Sequence, residues 1–177
     1  MKTMIKPILA IVVAALVLLG SKAGLSKMAA ANAEKEFNEM CATILPGDTE
    51  FTEEAYDGED EAILAVYKGT TGFVVNTVAY GYAGNIEMLV GVSNEGTVTG
   101  LVVRDLSETY GLGANALTDT TYLAQYLETA GDAEIGTNVD AITGATVTSK
   151  AVTRAVNSAV AYVTGADTTS SATTWGE

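Results

Sequence analysis

Apolar residues open the chain as one unbroken run, Ile8 to Leu19, and become periodic after it. Between Ala62 and Val103 they fall into short, β-branched blocks: Ala62–Tyr67, Gly72–Tyr80, Ile86–Val92 and Thr97–Val103. Gly69, Gly84 and the turn Asn94-Glu95-Gly96 separate them. Blocks of that length between turn residues read as strands. The last two, joined through Ser93 to Gly96, read as a hairpin and predict a mainly antiparallel sheet. Elsewhere the spacing is helical. Residues 27–45 predict a helix closed by Pro46-Gly47, and Leu117–Thr129 a second, with Asp119 near its start and Gly131 past its end. Thr146–Val163 predicts the last helix: Val152, Ala155, Val156, Ala159, Val160 and Val163 recur at three- and four-residue steps, and Gly165 stops it. So many valines lower helix propensity, so this helix needs a sheet or another helix to pack on. The predicted class is α+β, a mainly antiparallel sheet packed with helices and preceded by one N-terminal transmembrane helix.

This divides the chain into a membrane anchor (1–27), a linker helix and acidic surface loop (28–61), a folded domain (62–165) and a disordered Ser/Thr-rich tail (166–177). The run Ile8 to Gly20 is shorter than the ~20 residues that cross a bilayer and would suit a signal-peptide core. Ala29-Ala30-Ala31-Asn32-Ala33 offers cleavage sites for that reading. Met4 to Leu25 also reads as one spanning helix, with Lys6 and Lys22 snorkelling to the two interfaces, and a retained anchor is the preferred reading. Lysines flank the run on both sides, so their count does not set its orientation.

Composition narrows the function. There is no histidine among the 177 residues, which removes Ser-His triads, imidazole acid–base catalysis and ordinary zinc or haem ligation. The single Cys41 can neither close an internal disulfide nor hold an iron–sulfur cluster, and reads as a small buried apolar residue. Residues 1–27 carry Lys2, Lys6, Lys22 and Lys27 and no acid, whereas all 22 acids lie beyond them. So acidic a domain repels a phosphate backbone and excludes nucleic-acid binding.

The chemistry-bearing stretch is Val139 to Thr148. It sets small and hydroxyl side chains where the last helix begins, and the unpaired amides and dipole of a helix start favour a phosphate. Gly144 and Ala145 let a bulky ligand approach the Thr146 hydroxyl. From the residues alone, Thr146 either holds a phosphate or merely belongs to the helix cap. Thr143 is the expected cap, which would put Thr146 at the third position. Thr148 and Ser149 offer hydroxyl donors, and Lys150 and Arg154 offer positive charge, or all four are plain helix-surface residues. Glu108-Thr109-Tyr110-Gly111-Leu112-Gly113 predicts a tight turn whose glycines open conformations closed to other residues. A threonine hydroxyl is a poor nucleophile, and with no histidine to activate it any covalent bond at Thr146 must be made by another protein.

Asp140-x-x-Thr143-Gly144-Ala145-Thr146 resembles the sequence at which FMN is joined by a phosphoester to the last threonine of bacterial FMN-binding domains. Glu108 to Gly113 resembles the Glu-Thr-Pro-Gly-Leu-Gly turn of those domains, with Tyr110 in place of the proline. With the N-terminal apolar segment, the chain resembles the G subunit of the Rnf complex, an ion-translocating ferredoxin:NAD oxidoreductase of bacterial membranes. The resemblance spans residues 70–164 in sequence and 1–27 in layout. It implies covalent FMN at Thr146, attached by an FAD-dependent flavin transferase that releases AMP. Asp140 then either assists that transferase or is an ordinary loop residue. Glu108, Thr109, Tyr110, Gly111, Leu112 and Gly113 lie along the flavin ring, and Thr143, Gly144, Ala145 and Thr148 line the attachment. The resemblance further implies a single-pass subunit with its FMN domain on the extracytoplasmic face. It relays electrons among the other redox subunits and is not an enzyme alone. The alternatives are the C subunit of sodium-pumping NADH:quinone reductase, a free-standing extracellular flavoprotein, and a cofactor-free, membrane-anchored acidic binding module.

Overall fold

A computed structural model of the chain describes residues 32–106 and 117–166; the proposed anchor, the turn at Glu108–Gly113 and the tail lie outside these. Contacts divide the chain between Glu39 and Met40. In the first unit, residues 32–39 are helical and mostly exposed, with a Lys35–Glu39 ion pair at 3.5 Å. Among the described residues, no helix is long and apolar enough to cross a membrane.

The second unit begins with the end of helix α1 (residues 32–44), followed by five strands. They are β1 (Thr52–Glu54), β2 (Ile63–Lys68), β3 (Gly72–Tyr80), β4 (Asn85–Ser93) and β5 (Val98–Leu106). Each pairs antiparallel with the next, in the order β1-β2-β3-β4-β5. The four predicted strands and the β4–β5 hairpin are present, and Gly96 at φ +84° makes the hairpin turn. The acidic stretch after Pro46, expected as a surface loop, instead supplies the edge strand β1. Its Glu54 pairs with Lys68 at 3.3 Å, and Asp48 is buried, accepting from the Thr71 amide (2.8 Å) and hydroxyl (2.9 Å).

Helix α2 (Thr120–Leu123) starts where Asp119 caps it, its carboxylate accepting from the Thr121 and Tyr122 amides. It tightens into a 3-10 turn at Ala124–Tyr126 and stops there, shorter than the predicted Leu117–Thr129 helix. The reason is a competing partner. The Glu128 amide donates to the Val98 carbonyl (3.0 Å) and the Val98 amide to the Thr129 carbonyl (2.9 Å), drawing the chain onto the start of β5 with Glu128 at φ +65°.

Helix α3 (Thr146–Thr164) matches its predicted start and overruns its predicted end by one residue, closing on Gly165 at φ +68°. Its valine and alanine stripe is buried against Val66, Val75, Met88, Val90, Val92 and Val98 of the sheet. Burying each such side chain stabilises the fold by roughly 1.5–3 kcal/mol, which offsets the weak helix propensity of the valines. The sheet's other face is covered too. Gly91 and Gly100 are cross-strand partners, and a Cβ on either would collide with Ile44. The end of α1 settles into that notch, burying Cys41, Ile44 and Leu45 against the sheet. Burial pushes the Cys41 thiol up to about 11, with Arg104 opposing weakly, so it is the inert apolar filler expected.

Candidate functional site

The predicted attachment stretch forms the turn into α3. The Ala145 amide donates to the Ile142 carbonyl at 2.9 Å, and Gly144 sits at φ +81°, a left-handed conformation that a Cβ disfavours. Ala145, at φ −125° and ψ 34°, is the residue flanking the helix, and no side chain caps it. Thr143, the expected cap, is exposed and does not cap, because the left-handed step at Gly144 leaves Ala145 as the residue flanking the helix. Thr146 is thus the first helical residue, not the third. It is exposed, as is Val147, and both precede the first intrahelical bond, from the Ser149 amide to the Ala145 carbonyl at 2.9 Å. Their amides are among those a helix start leaves without a helical partner.

The other hydroxyls sit differently. Thr148 and Ser149, expected as donors at the surface, are both 0% exposed. The Ser149 hydroxyl donates to the Ala145 carbonyl (3.0 Å) and accepts from the Ile142 amide (3.2 Å). Beneath it lies a polar chain that the sequence did not single out. The Thr153 hydroxyl donates to the Ser149 carbonyl (3.0 Å), Tyr126 meets Thr153 at 2.9 Å, and Tyr122 meets Tyr126 at 2.7 Å. One donor order satisfies every member: Tyr122 to Tyr126 to Thr153 to the Ser149 carbonyl. Burial raises both phenols, Tyr126 far above the ordinary phenol range with the neighbouring Tyr122 adding to it, so both keep their protons and serve as neutral donors.

The approach to the turn is also anchored. The Asp140 amide donates to Gln125 Oε1 at 2.8 Å, leaving the Asp140 carboxylate exposed beside the turn. Earlier in the same loop, buried Asn157 of α3 brackets Ala133, donating to its carbonyl (2.9 Å) and accepting from its amide (3.3 Å). Nothing in the residue order marks these two amide side chains, and their backbone partners reveal the role.

Thr164, at the end of α3 away from Thr146, packs beside Gly96 in the β4–β5 turn. The β3–β4 turn, with exposed Tyr80 and Tyr82, lies at the same end of the sheet as the last residue of β5. A depression of about 380 Å³ lined by Tyr56, Asp57, Asp60, Ile63 and Tyr162 is at the far end of α3, and Thr146 itself is exposed. The first turn of α3 contains no acid, and Lys150 and Arg154 are exposed further along it. Small residues before the hydroxyl, helix-start amides and no nearby helical acid fit a phosphoryl group.

Residues 81–161, from the β3–β4 turn through most of α3, match the family model of the FMN-binding domain. The G subunit of a proton-translocating ferredoxin:NAD(+) oxidoreductase complex from Clostridium ljungdahlii is 41% identical over 109 residues, covering 56% of this chain and 58% of that protein. The G subunit of a Na(+)-translocating ferredoxin:NAD(+) oxidoreductase complex from Acetobacterium woodii is 37% identical over 114 residues, covering 56% of this chain and 55% of that protein. The G subunit of an ion-translocating oxidoreductase complex from Methanosarcina acetivorans is 36% identical over 139 residues, covering 71% of this chain and 73% of that protein. The chain thus spans a little over half the length of the first two.

Proposed function

This chain belongs to the family of G subunits of ion-translocating oxidoreductase complexes, and from that premise we propose that it is an electron-transfer subunit carrying FMN esterified through its phosphate to the Thr146 hydroxyl. The observation that carries the attachment is the position of Thr146: exposed, first in α3, and directly after the left-handed Gly144 and the small Ala145. The flavin supplies one- and two-electron transfer once bound. The chain's part is to hold its phosphate: the amides of Thr146 and Val147 and the helix dipole stabilise negative charge there, and Lys150 and Arg154 offset it from farther along α3.

The bond is made by a separate flavin transferase. The Thr146 oxygen attacks the flavin-side phosphorus of FAD, the pyrophosphate P–O bond breaks, AMP leaves, and the threonine proton passes to a base on the transferase. No electrons change hands in that step. The exposure of the Asp140 carboxylate beside the turn supports a part for it in meeting the transferase. Glu108–Gly113, outside the described residues, are assigned to the flavin ring by the family resemblance alone.

In the assembled complex, residues 1–27 anchor the subunit in the membrane as a single span and the FMN domain stands on the extracytoplasmic side. A covalent tether there keeps the flavin at high effective concentration beside its redox partners, where a free cofactor would be lost by dilution. The subunit relays electrons between neighbouring subunits and does not itself oxidise ferredoxin or NADH. The test is co-production with a flavin transferase: a denaturing gel of the wild type fluoresces and its intact mass gains one FMN phosphoester, whereas Thr146→Ala folds and stays dark. A colourless, unmodified wild-type preparation would sink the reading.

A further inference from the structure

We propose that Ser149 is a positioning residue for flavin attachment, a buried hydroxyl that holds the turn into α3 in the one shape that presents Thr146. This role rests on Thr146 being the attachment point. A serine inside a helix commonly bonds back to the carbonyl four residues earlier, as Ser149 does to Ala145. Here the same oxygen also accepts the amide of Ile142, seven residues back and outside the helix. It therefore grips both ends of the turn Ile142–Ala145, whose own internal bond runs from the Ala145 amide to the Ile142 carbonyl.

Two features make this more than local decoration. No side chain caps α3 from the usual flanking position, so the turn lacks the fixture most helix starts have. Ser149 is also itself fixed: it is 0% exposed, and its carbonyl accepts from Thr153, with Tyr126 (3.4 Å) and Tyr122 (3.5 Å) behind. The hydroxyl is thus a rigid peg, and the left-handed Gly144 is bent around it. Without the peg the turn Ile142–Ala145 can relax, and Thr146 stays exposed but no longer in one orientation.

The experiment compares full-length wild type, Ser149→Ala and Val160→Ala, a core truncation in the far half of α3 that lowers stability without touching the turn. Rates of flavin incorporation by the transferase are measured, together with hydrogen exchange at the Ile142 amide in the unmodified proteins. Ser149→Ala should incorporate flavin about a hundredfold more slowly, the scale of a misplaced reacting group. Its Ile142 amide should exchange faster, while Val160→Ala keeps the wild-type rate of incorporation. Should Ser149→Ala fail to fold, Ser149→Cys, which fills the site with a weak hydrogen-bonding group, should show the same slowing. Wild-type incorporation in the serine variant, or equal slowing in Val160→Ala, overturns the proposal. If the wild type takes up no flavin at all, the Thr146 reading fails instead, and Ile142 exchange alone decides whether Ser149 holds the turn.

Discussion

The Thr99 hydroxyl donates to the Ile44 carbonyl across 2.6 Å, tying the end of α1 to β5 at the point where Gly91 and Gly100 leave the sheet bare. The helix end can reach the sheet only because neither glycine has a side chain. Gly100→Ala would place a methyl 2.7 Å from Ile44 Cα, so backbone must move against a packed sheet. We expect a loss of about 1–3 kcal/mol, the usual range for overpacking, read as a lower urea midpoint. Flavin incorporation should be unchanged, since the notch is on the face away from α3. An unshifted midpoint would mean that α1 does not bear on the sheet.

How far the sequence reaches can be judged from the two kinds of helix it contains. α3 was legible because its valines and alanines keep helical spacing against a sheet and Gly165 ends it; the strands were legible from β-branched blocks between glycines. β1 was not, because Thr52-Glu53-Glu54 has no apolar period and becomes a strand only by pairing with β2. The break after Tyr126 was hidden for the same reason: its partner, Val98, lies far back in the chain. At the site, the motif and its small neighbours single out Thr146, which is exposed at the first position of α3. Nothing in the residue order reveals that Gly144 turns left-handed, so Thr143 looks like the cap, and nothing there marks Ser149 as facing the core.

Asn157 shows what such hidden partners are worth. Its buried side chain satisfies both the amide and the carbonyl of Ala133, so truncation strands two backbone groups in the interior. Asn157→Ala should cost about 2–6 kcal/mol, each of the two stranded groups contributing roughly 1–3. Hydrogen exchange should rise at Ala133 before it rises in the sheet. A loss below the error of a denaturation curve would mean that the loop before Asp140 is held by something else.

Stability should fall in alkali, and the sign follows from the buried thiol and phenols. Cys41 keeps its proton in the folded state up to about 11, whereas an unfolded thiol loses it near 9.0. The stability it contributes is therefore whole below 9.0 and gone once the pH passes about 11. Tyr122 and Tyr126, also raised by burial, act in the same direction. Urea midpoints across that window should drop, and Cys41→Ala should flatten part of the slope. A midpoint that holds steady or rises there would show that these groups are already solvated in the folded protein.

Thr146 and Thr148 stand two residues apart in one helix turn, yet they should separate function from stability cleanly. Thr146 is exposed, so Thr146→Val should change stability by no more than about 0.5 kcal/mol while abolishing the flavin adduct. Thr148 is 0% exposed on the opposite side of the turn. Thr148→Val keeps its shape but loses a buried hydroxyl, so it should cost about 1 kcal/mol and retain the adduct. Peptide mapping of the fluorescent wild-type band, beside denaturation curves of both variants, makes the comparison. An adduct that survives Thr146→Val and vanishes with Thr148→Val would require the turn to open before modification, because a hydroxyl buried as Thr148 is cannot meet a second protein's active site.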